Sequence, residues 1–216
     1  MESTCPTFPH RTACPSVAGK TPLIGVLALQ GDVREHENVL DALGVAHQQV
    51  RRPADLDGLD GLIIPGGESS VIDKLSRIFG LRDPIVAAIA AGLPVLGTCA
   101  GLIMLSDSLR GGIDGQQTFG GLSASVERNA FGTQVDSFET TIDMAVVDVT
   151  PVRAAFIRAP IIRDAGAGTV IAALPTGDIV GVREGNCVGI SFHPEMVGEN
   201  RVHAWWLNTV VAGARR

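Results

Sequence analysis

Residues 93–109 read LPVLGTCAGLIMLSDSL. A short apolar run (93–98) meets a cysteine set among small residues, and a second run with helical pattern (100–109) follows at once. Gly97-Thr98-Cys99-Ala100-Gly101 has the form glycine–x–nucleophile–x–glycine, in the strand-then-helix setting that such a turn requires. Flanking glycines matter because a sharp turn crowds the neighbouring backbone. The outcome is a thiol at the carboxyl end of a strand, where open α/β sheets bind their ligands. The competing reading is a buried cysteine that only fills space.

Outward from this segment, strands and helices alternate. LIGVLAL (23–29) is a nearly continuous apolar run, as expected of a parallel strand covered on both faces. Asp32 is expected to cap a helix over 33–43 that stops at Gly44. Residues 46–51 read as a second strand, and GLIIP (61–65) as a third that ends in Gly66-Gly67-Glu68-Ser69-Ser70. A helix over 71–79 follows, and then another that Asp83 caps and Pro84 opens, ending at Gly92. Beyond Gly111 the pattern changes to β segments at 116–127, 138–149 and 153–158. VGISF (188–192) is a further buried strand, and 199–212 a closing helix with Val202, Trp205, Trp206 and Val210 on roughly one face. The expected fold is α/β: a doubly wound, mostly parallel sheet with helices on both faces and appended antiparallel strands.

With 216 residues, 45% of them hydrophobic and 19% charged, the chain can build a full core for one such domain, expected over 22–216. A net charge of −6 argues against a nucleic-acid or anionic-membrane partner, and no stretch has the length of apolar sequence that a transmembrane helix needs. Residues 1–21 are expected to be a disordered extension. Cys5, Cys14 and His10 there invite a metal reading, but no fourth ligand accompanies them, and a loose tail is preferred. A later translation start at Val17 is an alternative. Four cysteines without CxxC spacing form no disulfide or zinc framework, so a reducing, cytoplasmic home is expected.

A thiol nucleophile needs a base, and the base an orienting partner. Of five histidines, His10 is in the tail, His36 and His203 are on helices and His47 is on a strand. His193 alone ends a buried strand, on the same side of the sheet as Cys99 if that strand is parallel. Glu195, two residues on in an extended segment, would point to the same side and hold the ring. The amide of Ala100 and one from the Gly66-Gly67 turn, with Gly67 the better placed, could receive an oxyanion. Cys187 lacks such a setting.

Six blocks taken together resemble the class I (triad) glutamine amidotransferases, and within them the glutaminase subunits of pyridoxal 5′-phosphate synthase. They are GVLALQGDVREH (25–36), GLIIPGGESS (61–70), GTCAGLI (97–103), ERNAFGTQVDSFE (127–139), FIRAP (156–160) and SFHPE (191–195). The resemblance runs from Leu23 to the C-terminal helix. It implies that Cys99 attacks the side-chain amide of L-glutamine, that His193 moves the proton and that Glu195 orients His193. It also implies glutamine contacts at Gly66, Gly67, Glu68, Arg128, Ile157 and Arg158. Thr133 stands where an arginine is common, and Ser70 where a threonine is frequent. Neither a metal nor an organic cofactor is implied. The implied partner is a separate barrel-shaped synthase subunit in a hetero-oligomer, with the stretch Gln30–His36 and the oxyanion turn as the expected docking face. The other readings are a subunit feeding imidazole glycerol phosphate synthase, against which the RNAFG and FIRAP blocks speak, a cysteine peptidase, and a scaffold without chemistry.

Overall fold

A computed structural model describes residues 21–128 and 137–215 of the chain. The cysteine-bearing tail and Thr133 therefore lie outside the described residues. The first half alternates as its apolar pattern requires: β1 (Leu23–Leu27), α1 (Val33–Ala42), β2 (Ala46–Val50), β3 (Gly61–Ile64), α2 (Ser69–Ile78), α3 (Arg82–Ala90), β4 (Val95–Thr98) and α4 (Ala100–Leu105). The second half is mostly strand: β5 (Ser106–Arg110), β6 (Leu122–Glu127), β7 (Ser137–Ile142), β8 (Val152–Ile157), β9 (Ile161–Asp164), β10 (Thr169–Ala173), β11 (Ile179–Glu184) and β12 (Cys187–Ile190). The chain closes with α5 (Arg201–Trp206), a π-helical stretch (Leu207–Val211) and α6 (Ala212–Ala214).

One sheet runs in the order β2-β1-β3-β4-β12-β11-β9-β6-β5, with β10 added on β11. The five strands from β2 to β12 are all parallel to their neighbours. From β12 onward β11, β9 and β6 pair antiparallel, and β5 returns parallel to β6. β7 and β8 form a separate antiparallel hairpin whose Ala155 bridges to His193.

Side chains of the central strands divide by parity between two cores, since successive residues of a strand face opposite sides. Ile63 and Leu96 join the core under α1 and α5, with Leu40, Val202 and Trp206. Leu62, Ile64 and Val95 join the other, under α2, α3 and α4, with Ile72, Ile85 and Leu102. Helices thus cover both faces, as the unbroken apolar strands demand. Among the described residues no helix is long and apolar enough to cross a membrane.

Several expectations are corrected. The helix behind Cys99 is six residues long, not ten, because residues 106–110 leave it to pair with β6. The Ser106 hydroxyl donates to Ile103 O and the Phe119 amide to Met104 O, which closes the helix end. Asp32 occupies the N-cap position of α1, but its side chain makes no capping bond. α3 opens at Arg82 with Leu81 as its cap residue, and Pro84 sits inside the first turn, where a missing N–H costs nothing. Strands β9, β10 and β11 were not anticipated as separate elements.

Candidate active site

The parallel pairing of β4 with β12 brings their carboxyl ends side by side, with Ile190 opposite Thr98. Cys99 follows immediately, at φ 48° and ψ −101°, a conformation that L-residues rarely adopt. Its amide donates to Ile190 O at 2.8 Å, and its carbonyl accepts from Ile103 N at 3.2 Å, so the strained turn is held from both sides. The flanking glycines now have a reason. A Cβ on Gly97 would stand 2.5 Å from Gly101 C, and one on Gly101 would stand 2.0 Å from Ile64 O. No side chain fits at either place.

After β12 the chain continues to His193, whose amide donates to Ala155 O on β8. Its Nδ1 is 2.8 Å from Glu195 Oε1. The two residues meet by a turn rather than by extended alternation: Pro194 is helical and Glu195 opens a short 3-10 turn. The same Nδ1 is 3.3 Å from Asp32 Oδ2, so two carboxylates address one ring nitrogen. Nε2 is left for Cys99, and the Cys99 thiol also lies 3.9 Å from Ile157 O. Burial alone would lower the His193 imidazole, yet hydrogen bonds to Cys99 and Glu195 and their charges push it up to about 10. Glu195 is held down to about 2 against its burial, by the His36 and His193 imidazoles. Burial raises Asp32, against the pull of His193 and with the push of Glu195.

The turn after β3 closes the other side of the ring. A Cβ on Gly66 would stand 2.1 Å from His193 Cε1, so only a glycine lets the imidazole approach this turn so closely. Gly67 has φ 148°. The Gln30 side chain pins this loop by accepting from the Glu68 amide at 2.7 Å. Glu68 Oε1 accepts from Arg128 Nη2 and from the Ser70 hydroxyl, and Arg128 Nη1 reaches Gln116 Oε1 at 3.2 Å. Arg158 follows β8 at φ 44°, is exposed, and makes no ion pair among the described residues. Ala100 is the first residue of α4, directly behind the thiol.

The structure thus gathers Cys99, His193 and Glu195, lays Gly66 on the ring, and joins Glu68 to Arg128. Four residues near the site have no part in the catalytic or glutamine-binding set expected from the sequence: Gln30, Asp32, His36 and His203. The available signal for the two histidines was their place on apolar helix faces, His36 with Val39 and Leu40, and His203 with Val202 and Trp206. The stretch Gln30–His36 does not face outward as a whole, because Gln30, Asp32 and His36 point to the site while Arg34 is exposed.

Asp32, His193 and Glu195 are the one group of three or more among the described residues whose ligand atoms lie within 4.8 Å of one another. The hydrogen bond between His193 and Glu195 accounts for that closeness, and a metal on Nδ1 would displace it. Cys187 lies at the opposite end of the β4–β12 ladder, opposite Val95. It is buried, and burial together with Glu184 pushes its thiol up to about 11.

A strained cysteine, a carboxylate-anchored imidazole and a glycine turn at the sheet's carboxyl edge equip an α/β enzyme for acyl transfer through sulfur. The chain belongs to the SNO glutamine amidotransferase family, whose model matches residues 26–212. It is 52% identical over 202 residues to the pyridoxal 5′-phosphate synthase subunit PdxT of Clavibacter sepedonicus, covering 93% of this chain and 97% of that one. It is 54% identical over 188 residues to the subunit of the same name from Leifsonia xyli subsp. xyli, covering 87% and 95%. A solved structure described as a glutamine amidotransferase is 43% identical with a TM-score of 0.81, covering 88% of this chain and 98% of that one. The structure of PurLQS from Thermotoga maritima, 18% identical with a TM-score of 0.65 over 88% and 99%, shares the fold alone.

Proposed function

We propose that this protein hydrolyses L-glutamine to glutamate and ammonia through Cys99, His193 and Glu195. The ammonia passes to a separate barrel-shaped synthase subunit that makes pyridoxal 5′-phosphate from ribose 5-phosphate and glyceraldehyde 3-phosphate. One observation carries the reading: His193 is anchored on buried Glu195 with its other nitrogen left to a cysteine in a strained strand-to-helix turn. The partner rests on the PdxT relatives, which are named as subunits of that synthase.

The chemistry follows from the geometry. The thiol proton rests on His193 Nε2, whose affinity for it is raised by Cys99 and Glu195, and Cys99 Sγ bonds to the side-chain carbonyl carbon of glutamine. The carbonyl oxygen becomes an oxyanion, which the amides of Gly67 and Ala100 receive. When the C–N bond breaks, the imidazolium returns its proton to the nitrogen, and ammonia leaves a γ-glutamyl thioester on Cys99. Water then attacks the thioester carbon, giving its proton to His193. The C–S bond breaks, glutamate departs and the thiol regains the proton. Glu195 remains ionised throughout, because it is held far below neutral pH.

Glu68 and Arg128, paired with one another here, offer opposite charges to the ammonium and carboxylate of the substrate amino acid. Arg158 adds a cation beside Ile157, and the backbone of Gly66 and Gly67 borders the amide. No step calls for a metal or an organic cofactor. A working free thiol suits the reducing cytoplasm, where we place the complex.

The test is glutamate release with and without the synthase subunit. Cys99→Ala is expected to lower kcat by about three orders of magnitude or more while still forming the complex. A fully active Cys99→Ala protein would overturn the nucleophile assignment.

A further inference from the structure

We propose that His36 is a positioning residue for the reaction, holding the Glu195 carboxylate on His193, and that His203 in turn holds His36; this rests on the triad reading above. His36 comes from α1 and His203 from α5, the two helices that cover one face of the sheet. Both rings are fully buried. His36 Nε2 is 3.1 Å from Thr98 Oγ1, one residue before the nucleophile, and 3.5 Å from Glu195 Oε1. His36 Nδ1 is 2.9 Å from His203 Nε2.

The proton positions follow from what each nitrogen faces. If His203 Nε2 carries a hydrogen, it donates to His36 Nδ1, and His36 Nε2–H then points at Thr98 Oγ1 and the Glu195 carboxylate. His203 Nδ1, which has no partner among the described residues, is left as a bare lone pair. The opposite arrangement would bury an N–H without an acceptor at His203 and turn a lone pair of His36 toward an anion, and both cost more. The chain therefore runs His203 to His36 to Glu195, each donating forward, with both imidazoles neutral.

Glu195 depends on this arrangement. Its carboxylate is fully buried, and Oε2 has no hydrogen-bond partner among the described residues. Oε1 alone receives His193 Nδ1 and the approach of His36. The titratable groups around Glu195 are His193 beside it, His36 on α1, His203 on α5 and Asp32 ahead of α1, with Glu35 facing Asp32 and His36, and Cys99 beyond the His193 ring. Asp32 is a second carboxylate at the same ring nitrogen, and the charge of Glu195 raises it, while His36 is the group that holds Glu195 down. Without the His36 donor, Glu195 takes a proton at higher pH and lets go of the His193 ring.

The experiment is the pH profile of kcat and KM for glutamate release, measured on the complex with the synthase subunit between about pH 3 and 9, so that it reaches the range in which a raised Glu195 carboxyl titrates. His36→Leu is expected to lower kcat with KM little changed, and to move the acid limb upward by about one pH unit or more. His36→Gln, which restores an N–H at the reach of Nε2, is expected to return the limb toward its original place. A His36→Leu limb that coincides with the wild type, whatever its amplitude, would overturn the proposal, since a purely structural loss scales the profile without moving it. Histidine nitrogen NMR on the unaltered protein gives an answer that does not depend on the variant folding. Protons on Nε2 of both His36 and His203 are expected, and a proton on Nδ1 of His36 would overturn the assignment. Cys99→Ala separates this inference from the one it rests on. An active Cys99→Ala protein removes the triad reading, whereas an inactive one beside an unmoved His36→Leu limb removes only the positioning role.

Discussion

A hydrogen atom at Gly66 is what lets His193 stand where it does. A methyl group there would lie 2.1 Å from ring carbon Cε1, 2.8 Å from Asp32 Oδ2 and 2.9 Å from ring nitrogen Nδ1. The ring is tied to Glu195 through that same Nδ1, so to make room it must shift against Cys99 or give up its carboxylate. Gly66→Ala is expected to keep the fold, because the turn lies at the end of β3, and to lower kcat by about a hundredfold, the usual cost of a misplacement near 1 Å. Glutamate release beside a thermal melt checks this: near-normal turnover would mean that the ring has slack. At this scale the sequence was most legible where the chemistry is local. Gly97 and Gly101 announce the turn around Cys99 by their spacing alone. What forbids a side chain is local for Gly97, which meets Gly101, and distant for Gly101, which meets Ile64 on β3. Asp32 was legible only as a helix cap, since nothing nearby in the chain says that its carboxylate turns to a residue 161 positions away.

At the scale of elements, α1 and α5 meet through His36 and His203, and this contact carries a pH dependence. Burial, with His36 as a second cause, lowers the His203 imidazole to about 3, and burial lowers His36 as well. An unfolded chain binds protons at these histidines below about pH 6.5. The folded chain does not until its own, lower values are reached. Between the two, the unfolded state holds more protons, so stability rises with pH and is fully present only above about 6.5. Each such group contributes a slope of at most about 1.4 kcal/mol per pH unit in that window. Urea unfolding between about pH 5 and 7 is expected to show falling stability toward acid, and His203→Gln is expected to flatten that fall. An unchanged slope in His203→Gln would mean that the ring is not the group responsible.

Elements were legible in the sequence where burial on both faces made them continuous. GLIIP and LPVLGT read directly as strands, and each contributes side chains to both cores. The helix behind Cys99 was read too long because LIMLSDSL stays helical in pattern beyond Leu105, while the pairing that ends it lies with Leu122 on β6. Strands β9 to β11 were hidden for a related reason. They are four to six residues long, and β10 pairs with register shifts, so no regular alternation marks them. β9 takes its place from β6, far back in the chain, while β10 and β11 each pair with the strand that follows.

At the scale of the whole molecule, the synthase subunit is expected to dock on the face that carries the start of α1. In the stretch Gln30–His36 the outward side chain is Arg34, in the first turn of α1, which is 83% exposed and among the described residues pairs with its neighbour Glu35. Charge reversal by Arg34→Glu is expected to leave the fold intact and weaken association by about tenfold, chiefly by slowing encounter, with the difference fading in high salt. Association kinetics with the synthase subunit at two salt concentrations measure this, and unchanged binding would move the docking face elsewhere.

The β4–β12 ladder places two sulfur atoms at its two ends, and they are concealed to nearly the same degree, 7% at Cys99 and 5% at Cys187. An electrophilic inhibitor aimed at this protein therefore gains nothing by being small enough to slip in, since size would admit it equally to either end. Selectivity has to come from reactivity: Cys187 keeps its proton up to about pH 11, while Cys99 has a base beside it. A sluggish warhead carried on an amino-acid frame would wait for that base, and so report on the working end of the sheet.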